Sequence, residues 1–73
     1  MEKNYNERKR IGERIRQLRT QQQLTQDQLA ALTGLERPHI TRIEAGRYSV
    51  GFDTLQVIAQ ALGCTVDMVR LEQ

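Results

Sequence analysis

The chain of 73 residues is poor in the side chains that build disulfides, metal sites and catalytic centres. Its single cysteine, Cys64, excludes an internal disulfide, and together with the single histidine, His39, it cannot complete a zinc site. No nucleophile, base and orienting group can be drawn from these two side chains and scattered carboxylates. We therefore predict a protein that is not an enzyme and that uses no cofactor.

Long apolar stretches are missing as well. The sequence contains neither a secretory signal nor a run long enough to cross a membrane, so a reducing cytoplasm is the simplest compartment. A domain of this size buries only about 60% of the surface that its unfolded chain exposes, so we expect no deep cleft and no small-molecule substrate. We predict a single domain over residues 1–73, with a core from about residue 7 to residue 71.

The formal charge of +2 conceals an uneven distribution along the chain. Residues 1–50 carry ten Lys and Arg against six Asp and Glu, whereas residues 51–73 carry one against three. Positive charge is therefore concentrated in the first segment, where a polyanion such as nucleic acid could bind. The alternative is that these basic side chains only form a solvated helix face.

Apolar residues recur at helical spacing, and the apolar/polar alternation of strands is absent, so the predicted fold class is all-α. Ile11, Ile15 and Leu18 form one stripe, at i, i+4 and i+7, on a first helix from about Asn6 to Gln22. The sequence thus predicts an amphipathic helix with an apolar face for the core.

Three signals mark the start of a second helix. Thr25 is the predicted N-cap, Gln28 completes a capping box with it, and Leu24 pairs with Leu29 as a hydrophobic staple. Gly34 can adopt the left-handed conformation that ends a helix. This helix is therefore short and closes just before Gly34.

Three further helices follow in the prediction. The third begins close to Pro38, whose missing amide hydrogen is tolerated in a first helical turn, and ends before Gly46. Gly63 ends the fourth, and Thr65 caps a fifth that runs to about Leu71. The apolar residues that predict the fourth helix are Leu55, Ile58 and Leu62.

The second and third helices together meet the requirement for helix-turn-helix DNA binding, in which two helices flank a short turn and the second enters a groove. When Gln26 is counted as the first of twenty positions, the small Ala30 stands where the helices approach closely and Gly34 stands at the turn. Apolar residues fill the angle between the helices: Leu29, Leu35, Ile40 and Ile43. The stretch from Gln26 to Ala45 therefore predicts a recognition helix at about 37–45.

Four ordered stretches extend this pattern along most of the chain: Ile15-Arg16-Gln17-Leu18-Arg19, Leu24-Thr25-Gln26 with Leu29-Ala30, Ile40-Thr41-Arg42-Ile43-Glu44-Ala45-Gly46, and Leu55 through Ile58-Ala59 to Ala61-Leu62-Gly63. From about Ile11 to Val69 the sequence resembles the Cro/CI-type helix-turn-helix family, also called XRE-type, of phage repressors and bacterial regulators. The resemblance implies a compact five-helix bundle, a lambda-repressor-like DNA-binding domain. It also implies that the second helix crosses the phosphate backbone of double-stranded DNA and the third lies in the major groove.

The third helix has one face that suits contacts with bases. At about 100° per residue, packing its two isoleucines into the core turns the opposite face outward. The predicted base contacts are Arg37, Pro38, Thr41 and Arg42. Either arginine can donate two hydrogen bonds to guanine or contact phosphate alone. Pro38 offers only van der Waals contact, to a thymine methyl or to nothing, and Thr41 contacts base or backbone.

A second set of residues is predicted to contact the DNA backbone. The resemblance implies that Gln26 binds phosphate from the first turn of the second helix, where backbone amides and the helix dipole assist. Arg47 and Tyr48, in the loop after the third helix, match positions from which relatives hold the backbone, although Tyr48 equally suits packing. His39, at the exposed amino-terminal end of the third helix, is a further candidate.

The resemblance also implies a structural ion pair between Arg19 and Glu44, partly buried, which locks the first helix to the third. Four positions depart from the family pattern. Glu36 occupies the N-cap place of the third helix, where Ser or Thr is usual, and Pro38 stands where a small polar residue is usual. Gln23 stands where glycine is common, so a non-glycine residue is expected to bear a strained turn. Val50-Gly51 stands where many relatives have Pro-Ser, which predicts a weakly capped fourth helix.

Three apolar residues at the carboxy terminus, Met68, Val69 and Leu71, either close the core or form a dimer interface. Because the last helix often dimerises in the family, we predict a homodimer on a pseudo-palindromic operator. The predicted function is a transcriptional regulator in one of two settings, which the sequence does not separate: a phage-type or restriction-controller repressor, or the antitoxin of a toxin protein. The alternative is a protein-interaction module built on the same bundle.

Overall fold

The computed structural model describes the backbone of residues 2–71 and the side chains of residues 4–71. Four helices occur in this part of the chain: α1 (Glu2–Gln21), α2 (Gln26–Thr33), α3 (Arg37–Glu44) and α4 (Phe52–Ala61). No strand occurs among residues 2–71, which confirms the all-α class. None of the described helices is both long and apolar enough to cross a membrane.

Helix α1 begins earlier than the apolar stripe predicts. Residues 4–7 are exposed, and ion pairs follow along the helix, Arg10 with Glu7 at 2.8 Å and Lys9 with Glu13 at 3.2 Å. Each such pair stabilises a helix by about 0.2–0.5 kcal/mol. Hydrophobic periodicity cannot detect this extension, because the apolar stripe of the helix begins only at Ile11.

The local signals at the ends of α2 are confirmed. Thr25 Oγ1 accepts a hydrogen bond from the amide of Gln28 at 3.0 Å, and Gln28 Oε1 accepts one from the amide of Thr25 at 2.8 Å. Gly34 has a φ of 75° and donates its amide hydrogen to the carbonyl oxygen of Ala30 at 2.9 Å. The capping box and the glycine therefore fix both ends of a helix of only eight residues.

Two of the departures from the family pattern, at Gln23 and at Gly51, have the predicted structural consequences. Gln23 adopts a φ of 60°, in the left-handed region that side chains with a Cβ rarely occupy. Gly51 is the N-cap of α4 and supplies no side-chain hydrogen bond to the first turn. Both helix ends thus lack the residue type that would stabilise them most.

The prediction of a fifth helix is wrong, because residues 64–71 form no helix. A segment of two turns gains few hydrogen bonds to offset helix nucleation, and most helical stability in proteins comes from packing an apolar face. Here the side chains of Met68, Val69 and Leu71 are 95%, 84% and 83% exposed, and none of them belongs to the apolar core of the described residues. The first of the two alternatives for these residues, closure of the core, is therefore excluded.

The core lies between the four helices, with α3 packed against both α1 and α2, and α2 against α4. Its buried side chains are Ile15, Leu29, Ala30, Ile40, Ile43, Ile58 and Leu62. Gly12 allows the close approach of α1 to α3, because a Cβ there would lie 2.6 Å from the carbonyl oxygen of Glu44 and would also meet that of Ile43. The backbone of α3 is thereby held directly on α1.

Candidate nucleic-acid interface

One face of α3 is exposed and carries the four predicted base contacts. Ile40 and Ile43 are 1% and 2% exposed, which confirms that they anchor the opposite face in the core. The exposed side chains line one shallow, open surface, called here the α3 face: Arg37, Pro38, Thr41 and Arg42. The structure thus brings these four residues together on the helix that its two isoleucines hold in place.

The two arginines of the α3 face extend toward solvent. Arg37 Nε lies 3.8 Å from Asp27 Oδ1, but the side chains are 62% and 77% exposed. A long ion pair between exposed groups contributes little free energy. Among the described residues, Arg42 forms no ion pair. Both guanidinium groups can therefore bind an anionic ligand, or one rich in hydrogen-bond acceptors, with little loss of free energy from contacts within the protein.

Behind this face, Arg19 and Glu44 form a buried ion pair. Arg19 Nε donates to Glu44 Oε2 at 2.7 Å, and its Nη2 donates to Oε1 at 3.1 Å. Arg19 Nη1 donates to the carbonyl oxygen of Leu24 at 2.7 Å, in the turn before α2. This guanidinium therefore connects α1, the entry to α2 and the last turn of α3.

Gln26 links the buried ion pair to the α3 face. Its Nε2 donates to Glu44 Oε1 at 3.1 Å, and its Oε1 accepts a hydrogen bond from Thr41 Oγ1 at 2.8 Å. The sequence places Gln26 and Thr41 in separate sets of contacts and gives no sign that they bond to each other. Because the first turn of α2 lies beside α3, the two side chains instead form one polar unit.

His39 differs from its predicted placement. It is half-buried rather than exposed, because its ring packs edge-on against Tyr48, with centroids 4.6 Å apart and an interplanar angle of 80°. Its Nε2 is buried and has no hydrogen-bond partner among the described residues. Tyr48 remains 42% exposed, so it serves as a packing residue for His39 and still reaches the surface.

The loop after α3 is attached to α1. Gly46 has a φ of 75°, and the amide of Arg47 returns to the carbonyl oxygen of Arg42 at 2.9 Å, which closes the end of α3. Arg8 Nε donates to the carbonyl oxygen of Gly46 at 3.4 Å. Arg47 and Tyr48 are therefore carried by a loop with defined geometry, and Arg8, which the sequence did not single out, lies beside it.

Two short helices joined at Gly34, with the second presenting an exposed basic face, define a helix-turn-helix protein. A helix-turn-helix family model, HTH_3, matches residues 15–69, which is more than half of the chain. The chain belongs to this family, and the predicted resemblance to the Cro/CI or XRE type is confirmed.

Several characterised proteins are similar to the chain. The immunity repressor protein of Bacillus phage phi105 is 39% identical over 63 residues, which cover 86% of this chain and 44% of the repressor. The control protein C.SmaI of Serratia marcescens is 33% identical over 63 residues, which cover 86% of this chain and 75% of that protein. The chain therefore spans less than half the length of the phage repressor but most of the control protein.

A solved structure has the same fold. The restriction-modification controller protein C.AhdI from Aeromonas hydrophila superposes with a TM-score of 0.80 and 34% sequence identity, over 84% of this chain and 88% of that protein. The similarity supports the helix-turn-helix architecture.

Proposed function

We propose that the chain is a sequence-specific regulator of transcription that binds double-stranded DNA and acts as a repressor. The observation that carries the proposal is the α3 face, where Arg37, Thr41 and Arg42 stand exposed on a helix anchored by buried isoleucines. An α-helix with donor and acceptor side chains on one face fits the major groove. The names of the relatives, a phage repressor and controller proteins, support the same function.

The bases are contacted by the α3 face. Arg37 and Arg42 each present a planar fork that suits O6 and N7 of guanine, a contact that discriminates by about 1–3 kcal/mol. Pro38 contacts a thymine methyl group. Thr41, on the next turn of the same face, completes the set.

The backbone contacts flank this face. Gln26 uses one Nε2 hydrogen on Glu44 and has the other for a phosphate, and the amino terminus of α2 adds its own amides. Arg47 contacts the backbone from the loop after α3. His39 and Tyr48, which pack against each other, also contact the DNA backbone.

The active form is a homodimer. Met68, Val69 and Leu71 are exposed in a segment that has no helical structure of its own, and a second copy would cover them. An isologous dimer would place two α3 helices one turn of DNA apart, about 34–36 Å, on a pseudo-palindromic operator. The relatives' names favour a phage or restriction-controller setting over the antitoxin of a toxin protein.

The salt dependence of DNA binding tests this proposal. We expect the logarithm of the affinity for a random-sequence duplex to fall linearly with the logarithm of salt concentration, by about 0.9 for each phosphate contacted. Fluorescence anisotropy with a labelled duplex at several salt concentrations measures the slope. A slope of zero, or no binding at low salt, would overturn the proposal and leave a protein-interaction module as the function of the bundle.

A further inference from the structure

The hydroxyl group of Thr41 lies on the α3 face, but its own hydrogen is engaged within the protein. Its Oγ1 is 2.8 Å from Gln26 Oε1 and 3.1 Å from the carbonyl oxygen of Arg37. A threonine hydroxyl has one hydrogen to donate and two lone pairs with which to accept. Because both neighbouring oxygens are acceptors, the hydrogen is directed at one of them, and the lone pairs are left for an external donor.

The orientation of the Gln26 amide is fixed from the interior. Its Nε2 faces Glu44 Oε1 at 3.1 Å, and a carboxylate paired with a guanidinium only accepts hydrogen bonds. Turning the amide around would place its carbonyl oxygen against that carboxylate. Gln26 Oε1 must therefore face Thr41. The buried ion pair thus determines which group donates and which accepts in the hydrogen bond between Gln26 and Thr41.

We propose that Thr41 determines part of the operator sequence as a hydrogen-bond acceptor for the exocyclic amine of adenine or cytosine. This inference rests on the proposed function and deepens it. In the major groove adenine N6 and cytosine N4 are donors, whereas N7, O6 and O4 are acceptors. The flanking Arg37 and Arg42 can only donate, so Thr41 supplies the one side-chain acceptor among the three polar residues of the face.

The first part of the test locates the base pair that Thr41 contacts. Operators are selected from random duplexes with the wild-type protein and with the variants Thr41→Val and Thr41→Ser. Valine keeps the shape of the side chain without the hydroxyl, and serine keeps the hydroxyl without the methyl. We expect Thr41→Val to lose its preference at one base pair per half-site and Thr41→Ser to retain it there.

The second part removes single atoms at that base pair. Adenine is replaced by 2-aminopurine, or cytosine by 2-pyrimidinone, which deletes the major-groove amine, and the purine of the same pair is separately replaced by its 7-deaza analogue. We expect loss of the amine to weaken wild-type binding by about 2- to 12-fold, the range for one hydrogen bond, and to leave Thr41→Val nearly unchanged. Loss of N7 should affect the two proteins equally.

The outcomes separate this inference from the proposed function. If the wild type enriches no sequence, regulation through a specific operator fails. If it enriches an operator but Thr41→Val selects the same sequence, the function stands and the role of Thr41 is overturned. The acceptor role is also overturned if removing the amine weakens both proteins equally, or if removing N7 weakens only the wild type, since Thr41 would then donate.

Discussion

Arg19 and Glu44 meet through two hydrogen bonds, Nε to Oε2 at 2.7 Å and Nη2 to Oε1 at 3.1 Å, in residues that are only 8% and 6% exposed. Among the described residues, the hydrogen bonds to the Glu44 carboxylate come from Arg19 and from Gln26 Nε2. Removing the carboxylate would therefore leave the buried guanidinium of Arg19 without its anionic partner. The pair joins α1 to α3 at the helix end opposite Arg37. The α3 face is therefore supported by a charge pair as well as by apolar packing.

Glu44→Ala should lower the free energy of unfolding by about 3–5 kcal/mol, because it leaves the Arg19 charge buried without its partner. Glu13→Ala is the matched control: it breaks the pair with Lys9 at 3.2 Å, whose side chains are 51% and 63% exposed. That control should cost less than about 0.5 kcal/mol. Urea denaturation followed by circular dichroism measures both values, and equal losses would contradict the structural role of the buried pair.

The end of α1 offers a site for stabilisation. The amide of Gln23 donates to Thr20 O at 3.0 Å and that of Leu24 to Arg19 O at 3.1 Å, the pattern in which glycine normally takes the left-handed position. Helices α2, α3 and α4 are followed by glycines with a φ of 75°, whereas Gln23 bears a φ of 60° with a side chain. A substitution at this position therefore tests the strain directly.

Gln23→Gly should raise the free energy of unfolding by about 0.5–1 kcal/mol, because the relief of left-handed strain exceeds the entropy that glycine adds to the unfolded chain. Gln21→Gly, at the last residue of α1, should instead lower it by up to about 1 kcal/mol. Thermal and urea unfolding of the two variants give the comparison. A loss of stability in Gln23→Gly would mean that the Gln23 side chain contributes more than its backbone strain costs.

The features of the fold that the sequence predicted correctly are those that depend on residues close together in the sequence. Thr25, Gln28 and Gly34 act within one helix, and their geometry follows from residue type and spacing alone. The prediction of a fifth helix was wrong because such a helix depends on tertiary packing of Met68 and Val69, and in the described part of the chain these side chains are 95% and 84% exposed. Local signals therefore predicted helix ends well and predicted an isolated terminal helix wrongly.

The sequence predicted which residues form the α3 face, but it did not predict the contacts that join this face to the other helices. Burial of Ile40 and Ile43 follows from periodicity and orients the α3 face. The role of Gly12 was not predicted, because Gly12 makes room for the backbone of Ile43 and Glu44. These residues lie more than thirty positions away in the sequence, so no local pattern indicates the contact. The bond from Thr41 to Gln26 likewise depends on how two helices cross and on the rotamers of both side chains.

Arg42→Ala should weaken binding to a selected operator by about 5- to 150-fold, the range for loss of one bidentate contact with guanine, and flatten the preference at one base pair. Binding to random duplex should fall much less. Arg16→Ala removes the same charge from an exposed face of α1, beside Glu13 and Thr20, and should leave the preference unchanged. Competition binding with single-base operator variants measures this, and an equal loss for every sequence would assign Arg42 to the backbone.

Val69→Glu should disrupt the proposed homodimer without unfolding the protomer, because Val69 is 84% exposed and makes no contribution to the core. A charge placed in an apolar contact must be desolvated when two copies associate, which opposes dimerisation. Leu32→Glu is the matched control, since Leu32 is an apolar residue that is 59% exposed and belongs to α2 rather than to the carboxy-terminal segment. Sedimentation equilibrium should give a monomer for Val69→Glu and a dimer for the wild type and for Leu32→Glu. Thermal unfolding at low protein concentration should give similar melting temperatures for the wild-type and Val69→Glu protomers. If Val69→Glu sediments as a dimer, the carboxy-terminal apolar residues are not the interface, and two-fold recognition of the operator would require another surface.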